Sequence, residues 1–130
     1  MKYELLIENG KIIVFVEITS NNDVMDLKFI LDTGSSKTIV SEQAAVMLGF
    51  DVTKLSTGDR LMTAGGGMNS KILLLPKFNL FGKEIADFEV NVLDLPLQIR
   101  YFVDGLIGMD FLLQFKNMMF DFEEKTIEVE

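Results

Sequence analysis

The chain has 130 residues, 48% of them apolar, with 20 acidic and 12 basic residues, a formal net charge of −8, and neither cysteine nor histidine. Those absences exclude thiol nucleophiles, disulfides, thiolate metal sites, Ser-His-Asp triads and imidazole acid–base chemistry, and the acidic balance opposes a nucleic-acid partner. The length predicts one domain over residues 1–130 with a buried core, and the apolar runs are far too short for a membrane span.

The amino terminus, MKYELLIENG, carries acidic residues inside its first apolar stretch. It is unlike a signal peptide, and a cytoplasmic location is expected. In YELLIENGKIIVFVEI two apolar runs flank Asn9-Gly10, the pair favoured in a two-residue type I′ hairpin turn. Residues 19–26, TSNNDVMD, read as a polar loop, and Leu27 to Leu31 as the next strand. After Asp32-Thr33-Gly34, residues Thr38 to Val40 form a short β-branched run. Ser41 then suits a helix N-cap, with Glu42 and Gln43 in the first turn and Gly49 as the stop.

A loop containing Thr53, Ser56, Gly58 and Asp59 follows. Leu61 to Ala64 and Ile72 to Leu75 are apolar arms around GGGMNS, predicting a glycine-tipped hairpin. Phe78 to Phe81 and Ile85 to Leu93 read as a strand pair joined at Gly82-Lys83. VDGLIGMDFLLQF begins as a strand, breaks at Gly108 and continues as a short helix from Asp110. MMFDFEEKTIEVE gives two alternating strands, with Phe120 and Phe122 on one face and Ile127 and Val129 on another. The sum is an all-β, mainly β, barrel-like domain with one or two short helices.

Chemistry concentrates at FILDTGSS, where an apolar strand ends on Asp32 and turns at once through Thr33, Gly34 and Ser35. With histidine and cysteine absent, this carboxylate is the best candidate for any catalysis. Asp32-Thr33-Gly34-Ser35, preceded by Phe29-Ile30-Leu31, resembles the catalytic loop of aspartic proteases. Leu106-Ile107-Gly108 resembles that family's second signature, carried on a strand that crosses behind the catalytic loop, and GLIGMDFL is similar to the form found in single-domain, retropepsin-like members. The order of elements agrees from about Lys11 to Val129.

This resemblance implies a retropepsin-like acid protease barrel with a flap hairpin, and an aspartic endopeptidase acting on extended peptide or protein substrates without metal or other cofactor. It implies Asp32 as the catalytic residue, Thr33, Gly34 and Ser35 as loop support, Ala64, Gly65, Gly66 and Gly67 as flap and substrate-binding residues, and Leu106, Ile107 and Gly108 as the brace. Thr33 would brace the loop against its symmetry mate. Ser35 is expected to donate a hydrogen bond to Asp32 and favour an acidic optimum. Leu61, Met62, Met68 and Ile72 are candidates for substrate pockets.

Hydrolysis by carboxylates needs one group to take a proton from water and another to protonate the carbonyl oxygen, and two close aspartates share one proton. Only one Asp-Thr-Gly motif is present, so the mechanism requires a symmetric homodimer. Asp104 and Asp110 flank the second signature, but Asp110 suits a helix N-terminus better than an acid pair. The terminal strands, Thr126 to Val129 included, either build a sheet shared between copies or close the chain on itself. Two rival functions remain: a retropepsin-shaped dimer with weak or no hydrolysis that binds peptides or assembles partners, and a structural β-domain without a cleft. TAGGGMNSK lacks the spacing of a nucleotide-binding loop.

Overall fold

The computed structural model describes residues 1–21, 23–63 and 66–130. Strands β1 (Lys2–Glu4) and β2 (Leu6–Glu8) lead into β3 (Lys11–Ser20). Glu8 pairs with Lys11, and Asn9 (φ 52°) and Gly10 (φ 73°) are both left-handed, as the expected type I′ turn requires.

β3 pairs antiparallel with β4 (Asp23–Leu31) from Ile13↔Ile30 out to Ser20↔Asp23. Most of residues 19–26 are therefore strand ends rather than the predicted loop. The backbone ladder continues past the last apolar residue, and buried Ser20 satisfies its hydroxyl on Leu48 O at 2.6 Å. Asn21 and Asp23 at the tip are exposed, and a run of polar residues there removes the apolar alternation that signals a strand.

β5 (Ile39–Ser41) leads into helix α1 (Glu42–Met47), capped as predicted: Ser41 Oγ accepts from Ala44 N at 3.0 Å, and Gly49 takes φ 94°. β6 (Ser56–Thr63) and β7 (Gly66–Leu80) form the long hairpin. Its pairing runs from Ser56↔Ile72 to Thr63↔Gly66 with an irregularity between Thr57 and Arg60. Residues 56–60, expected in a loop, are thus strand, because Asn69 to Ile72 of the returning arm, expected in part as the hairpin tip, lie opposite them. β7 returns through a Phe81-Gly82 turn (φ 53° and 75°) to β8 (Lys83–Leu93). Then come α2 (Leu97–Arg100), which the sequence pattern did not predict, β9 (Gly105–Ile107), α3 (Met109–Leu112), β10 (Met118–Asp121) and β11 (Thr126–Val129).

The larger sheet has the order β2-β3-β4-β9-β5-β8-β7-β6, and an additional β3–β7 pairing, Glu17↔Asn79 to Thr19↔Lys77, folds it back on itself. Inside lie Val16, Ile18, Phe29, Val40, Leu75, Phe78, Val90, Ile107 and Phe111. Phe78 packs edge-on against Phe29 and Phe111, with centroids 6.1 and 5.1 Å apart. A second sheet, β1-β11-β10, buries Leu5, Ile127 and Val129.

The feature that positions the site is β9. It lies between β4 and β5, parallel to the first (Leu31↔Ile107) and antiparallel to the second (Ile39↔Leu106).

Candidate active site

Phe29, Ile30 and Leu31 are buried, which pins the end of β4 and fixes where the next residue emerges. That residue is Asp32, half-buried, and its amide donates to Ile107 O at 2.9 Å. Its Oδ1 accepts the Gly34 amide at 2.9 Å, and Ser35 N donates to Asp32 O at 3.2 Å. A short side chain hydrogen-bonded to the amide two residues on is the local turn that Asp favours. Thr33 and Gly34 are exposed, on the outside of this turn.

Ser35 departs from expectation. Its hydroxyl donates to Lys37 O at 2.6 Å, so it braces the far side of the loop and does not bond Asp32. The loop's polarity is spent on its own backbone, which holds the turn's shape.

Behind the loop runs the predicted brace. Leu106 and Ile107 lie in β9, and Gly108 follows them. Beyond it, Met109 N donates to Ser35 O at 2.8 Å and Asp110 N to Ser36 O at 3.2 Å. Gly108 N donates to the hydroxyl of buried Thr38 at 3.1 Å. A Cβ on Gly108 would collide with the Lys37 backbone, and one on Gly105 with Ile39 O. Only glycine permits this approach.

The carboxylates flanking β9 are both committed. Asp110 accepts from Thr38 N (3.0 Å), Thr38 Oγ1 (2.7 Å) and Phe111 N (2.8 Å). Asp104 Oδ2 accepts from Lys28 N at 3.0 Å, and its amide donates to Lys28 O at 2.7 Å. Of the three carboxylates, Asp32 is the one that lines an open cleft.

An open cleft of about 350 Å³ adjoins Asp32, lined by Ile12, Ile30, Leu31, Ile99 and Leu106 with Gly10 and Lys11 at the rim. Leu61 and Met68, from facing positions of β6 and β7, pack with Ile99 and Leu106 against buried Ile39, Leu93 and Leu95. Of the predicted flap residues, Gly66 and Gly67 lie in the returning arm β7, opposite Thr63 and Met62. Arg60 reaches across to Gly67 O at 3.2 Å. Ala64 and Gly65 lie outside the described residues. Among the described residues no group of three or more acidic side chains is placed to hold a metal ion, and no helix is long and apolar enough to cross a membrane.

An apolar strand ending on an aspartate turn, braced by a glycine-flanked crossing strand, is what a family model described as aspartyl protease covers when it matches residues 16–111. The chain belongs to the aspartyl protease family. No curated protein is significantly similar to it in sequence.

Among solved structures, this aspartyl protease family member resembles a retropepsin-like aspartic protease from Rickettsia conorii, at 26% identity and TM-score 0.74, covering 99% of this chain and 89% of that one. EIAV protease complexed with the inhibitor HBY-793 matches at 19% identity and TM-score 0.63, over 84% and 93% of the two chains. The retroviral protease-like domain of Ddi1 from Leishmania major matches at 21% identity and TM-score 0.57, over 91% and 88%. The fold is retropepsin-like, as the sequence predicted.

Sequence reasoning missed Thr38, Gly105 and the tie between Lys28 and Asp104. The spacing of Gly105 and Gly108 around an apolar dipeptide was a usable signal for a strand approached closely from both ends. Thr38 carried none, because a β-branched residue at a strand start reads as apolar packing.

Proposed function

We propose that the chain is an aspartic endopeptidase that hydrolyses peptide bonds in extended polypeptides, with its active site formed between two copies. One observation carries the reading: Asp32, held on a braced turn, lines the open cleft, whereas Asp104 and Asp110 do not. Among the described residues that line the cleft Asp32 has no second acid beside it, and the two-fold-related Asp32 supplies one. The pair shares one proton. The ionised member takes a proton from water as its oxygen attacks the carbonyl carbon, and the protonated member donates to the carbonyl oxygen. Collapse of the tetrahedral diol releases the amine, which takes up the first proton, while one diol hydroxyl returns its proton to the second aspartate and restores the pair. The substrate lies extended in the cleft beside Ile30, Ile99 and Leu106, covered by the β6–β7 hairpin.

The test is digestion of a peptide library between roughly pH 4 and 7 by the wild type and by Asp32→Asn. Cleavage by the wild type alone is expected. Identical products from both would sink the reading. Wild-type binding of peptides without cleavage would establish a peptide-binding module instead.

A further inference from the structure

Among the described residues that line the cleft, two are charged: Asp32 and Lys11. The rest of the lining is glycine or apolar. Lys11 opens β3 directly after the Asn9-Gly10 turn and is exposed at the cleft rim. The register of β3 on β4 carries it towards the aspartate. Ile13 pairs with Ile30, and two further steps along each strand reach Lys11 and Asp32.

The acid best placed to neutralise this ammonium is engaged elsewhere. Glu8 faces Lys11 across the hairpin, the position from which an opposite charge pairs best. Its carboxylate is instead taken by Lys28 Nζ at 2.7 Å, an ammonium that also lies 4.5 Å from the Phe102 ring centroid. Among the described residues the ion pairs are Lys28–Glu8, Lys54–Asp51, Arg100–Asp94 and Lys116–Glu130, and none includes Lys11.

We infer that Lys11 is a specificity residue of the proposed endopeptidase, its ammonium pairing with a glutamate or aspartate side chain of the substrate close to the scissile bond. The inference rests on the Asp32 reading above. Apolar walls accept many side chains of similar size, whereas one charged group fixes orientation. Charge also makes the cation necessary. The chain carries −8, so an anionic side chain entering beside Asp32 is repelled unless a local positive charge offsets the field. The cleft is about 350 Å³, or about 7 Å across if compact, so two to three residues of extended chain at about 3.3 Å each fill it. The acidic residue therefore lies within about three positions of the bond that is cut.

The test uses paired peptides carrying Glu or Gln at each of the three positions on either side of the scissile bond. Wild type, Lys11→Met and Lys11→Glu are compared at about pH 6, where a free glutamate is ionised. Lys11 is exposed, and methionine keeps its apolar stem, so circular dichroism should show all three folded. At low ionic strength the wild type is expected to prefer Glu over Gln by about 5-fold in kcat/KM at one position or more. The ratio should fall to about one in Lys11→Met and below one in Lys11→Glu, and shrink in 1 M salt.

Wild-type cleavage without a Glu preference, or a preference that survives Lys11→Met, overturns the inference and leaves the endopeptidase standing. Equal loss of Glu and Gln peptides in Lys11→Met, with weaker self-association in sedimentation, would place the ammonium on the second copy and also overturn it. If the wild type cleaves none of the peptides, their affinities are compared by fluorescence polarisation. A Glu preference lost in Lys11→Met then upholds Lys11 as a ligand residue while the endopeptidase reading falls, and absence of binding brings down both.

Discussion

The carboxylate of Asp110 takes both donors of Thr38, the amide at 3.0 Å and the hydroxyl at 2.7 Å, across 72 residues of sequence. Thr38 is fully buried, and its oxygen in turn accepts the Gly108 amide. This chain of three bonds locks the exit of the Asp32 loop to the end of the crossing strand. The geometry of the candidate catalytic residue therefore depends on a side chain outside the cleft.

Removing that carboxylate leaves buried donors unpaired. Asp110→Ala is expected to cost about 2–4 kcal/mol, lowering the melting temperature by roughly 10 °C in a domain of this size. Asp110→Asn keeps one acceptor and should lose less. Thermal unfolding of the three proteins decides; equal melting temperatures would show that the bonds contribute little.

The two glycines of the crossing strand should be far less tolerant than a turn glycine. Alanine at Gly105 or Gly108 pushes a Cβ into the backbone of Ile39 or Lys37, which cannot rotate away. A loss of about 3 kcal/mol or more is expected for each. Gly10→Ala meets no atom within 4 Å and suffers only its left-handed φ of 73°, about 1 kcal/mol. Denaturant titration should rank them in this order, and a larger loss at Gly10 would refute the packing account.

Ser35→Ala should leave the pH–rate profile of peptide cleavage unshifted, because the hydroxyl bonds Lys37 O and not Asp32. Its effect falls on stability, about 1 kcal/mol for one lost hydrogen bond. An acidic limb that moves in the variant would place the hydroxyl on the aspartate during turnover.

Mixing wild type with an equal amount of Asp32→Asn tests the shared site directly. If activity needs an aspartate from each copy and the chains pair at random, about a quarter of the wild-type-only dimers' activity survives per dimer. Retention of half would mean that each chain works alone.

Local signals in the sequence were reliable where one or two residues decide a conformation. Asn9-Gly10 set a turn because both positions tolerate positive φ, and Ser41 set a helix start because its oxygen reaches the Ala44 amide. Phe29 to Gly34 announced a buried strand and a sharp exit onto a carboxylate. The reading failed where distant chain supplies the partner. Residues 19–20, 23–26 and 56–60 looked like loops since most of their side chains are polar, yet they lie in strands paired with their neighbours. Helix α2, with no side-chain cap on Pro96, left no mark.

By itself the sequence determined the available chemistry, the candidate acid and a mainly β domain, because those follow from residue types and short-range backbone preferences, and the resemblance of its two motifs implied the family's fold. Only the tertiary structure decided what Ser35, Thr38, Asp104 and Asp110 bind, and which edges of the terminal sheet are filled. Ser35 binds two residues away, but the partners of Thr38, Asp104 and Asp110 lie tens of residues away. They join β9 to β4 and β5, and β1 to β11, and no local pattern encodes them.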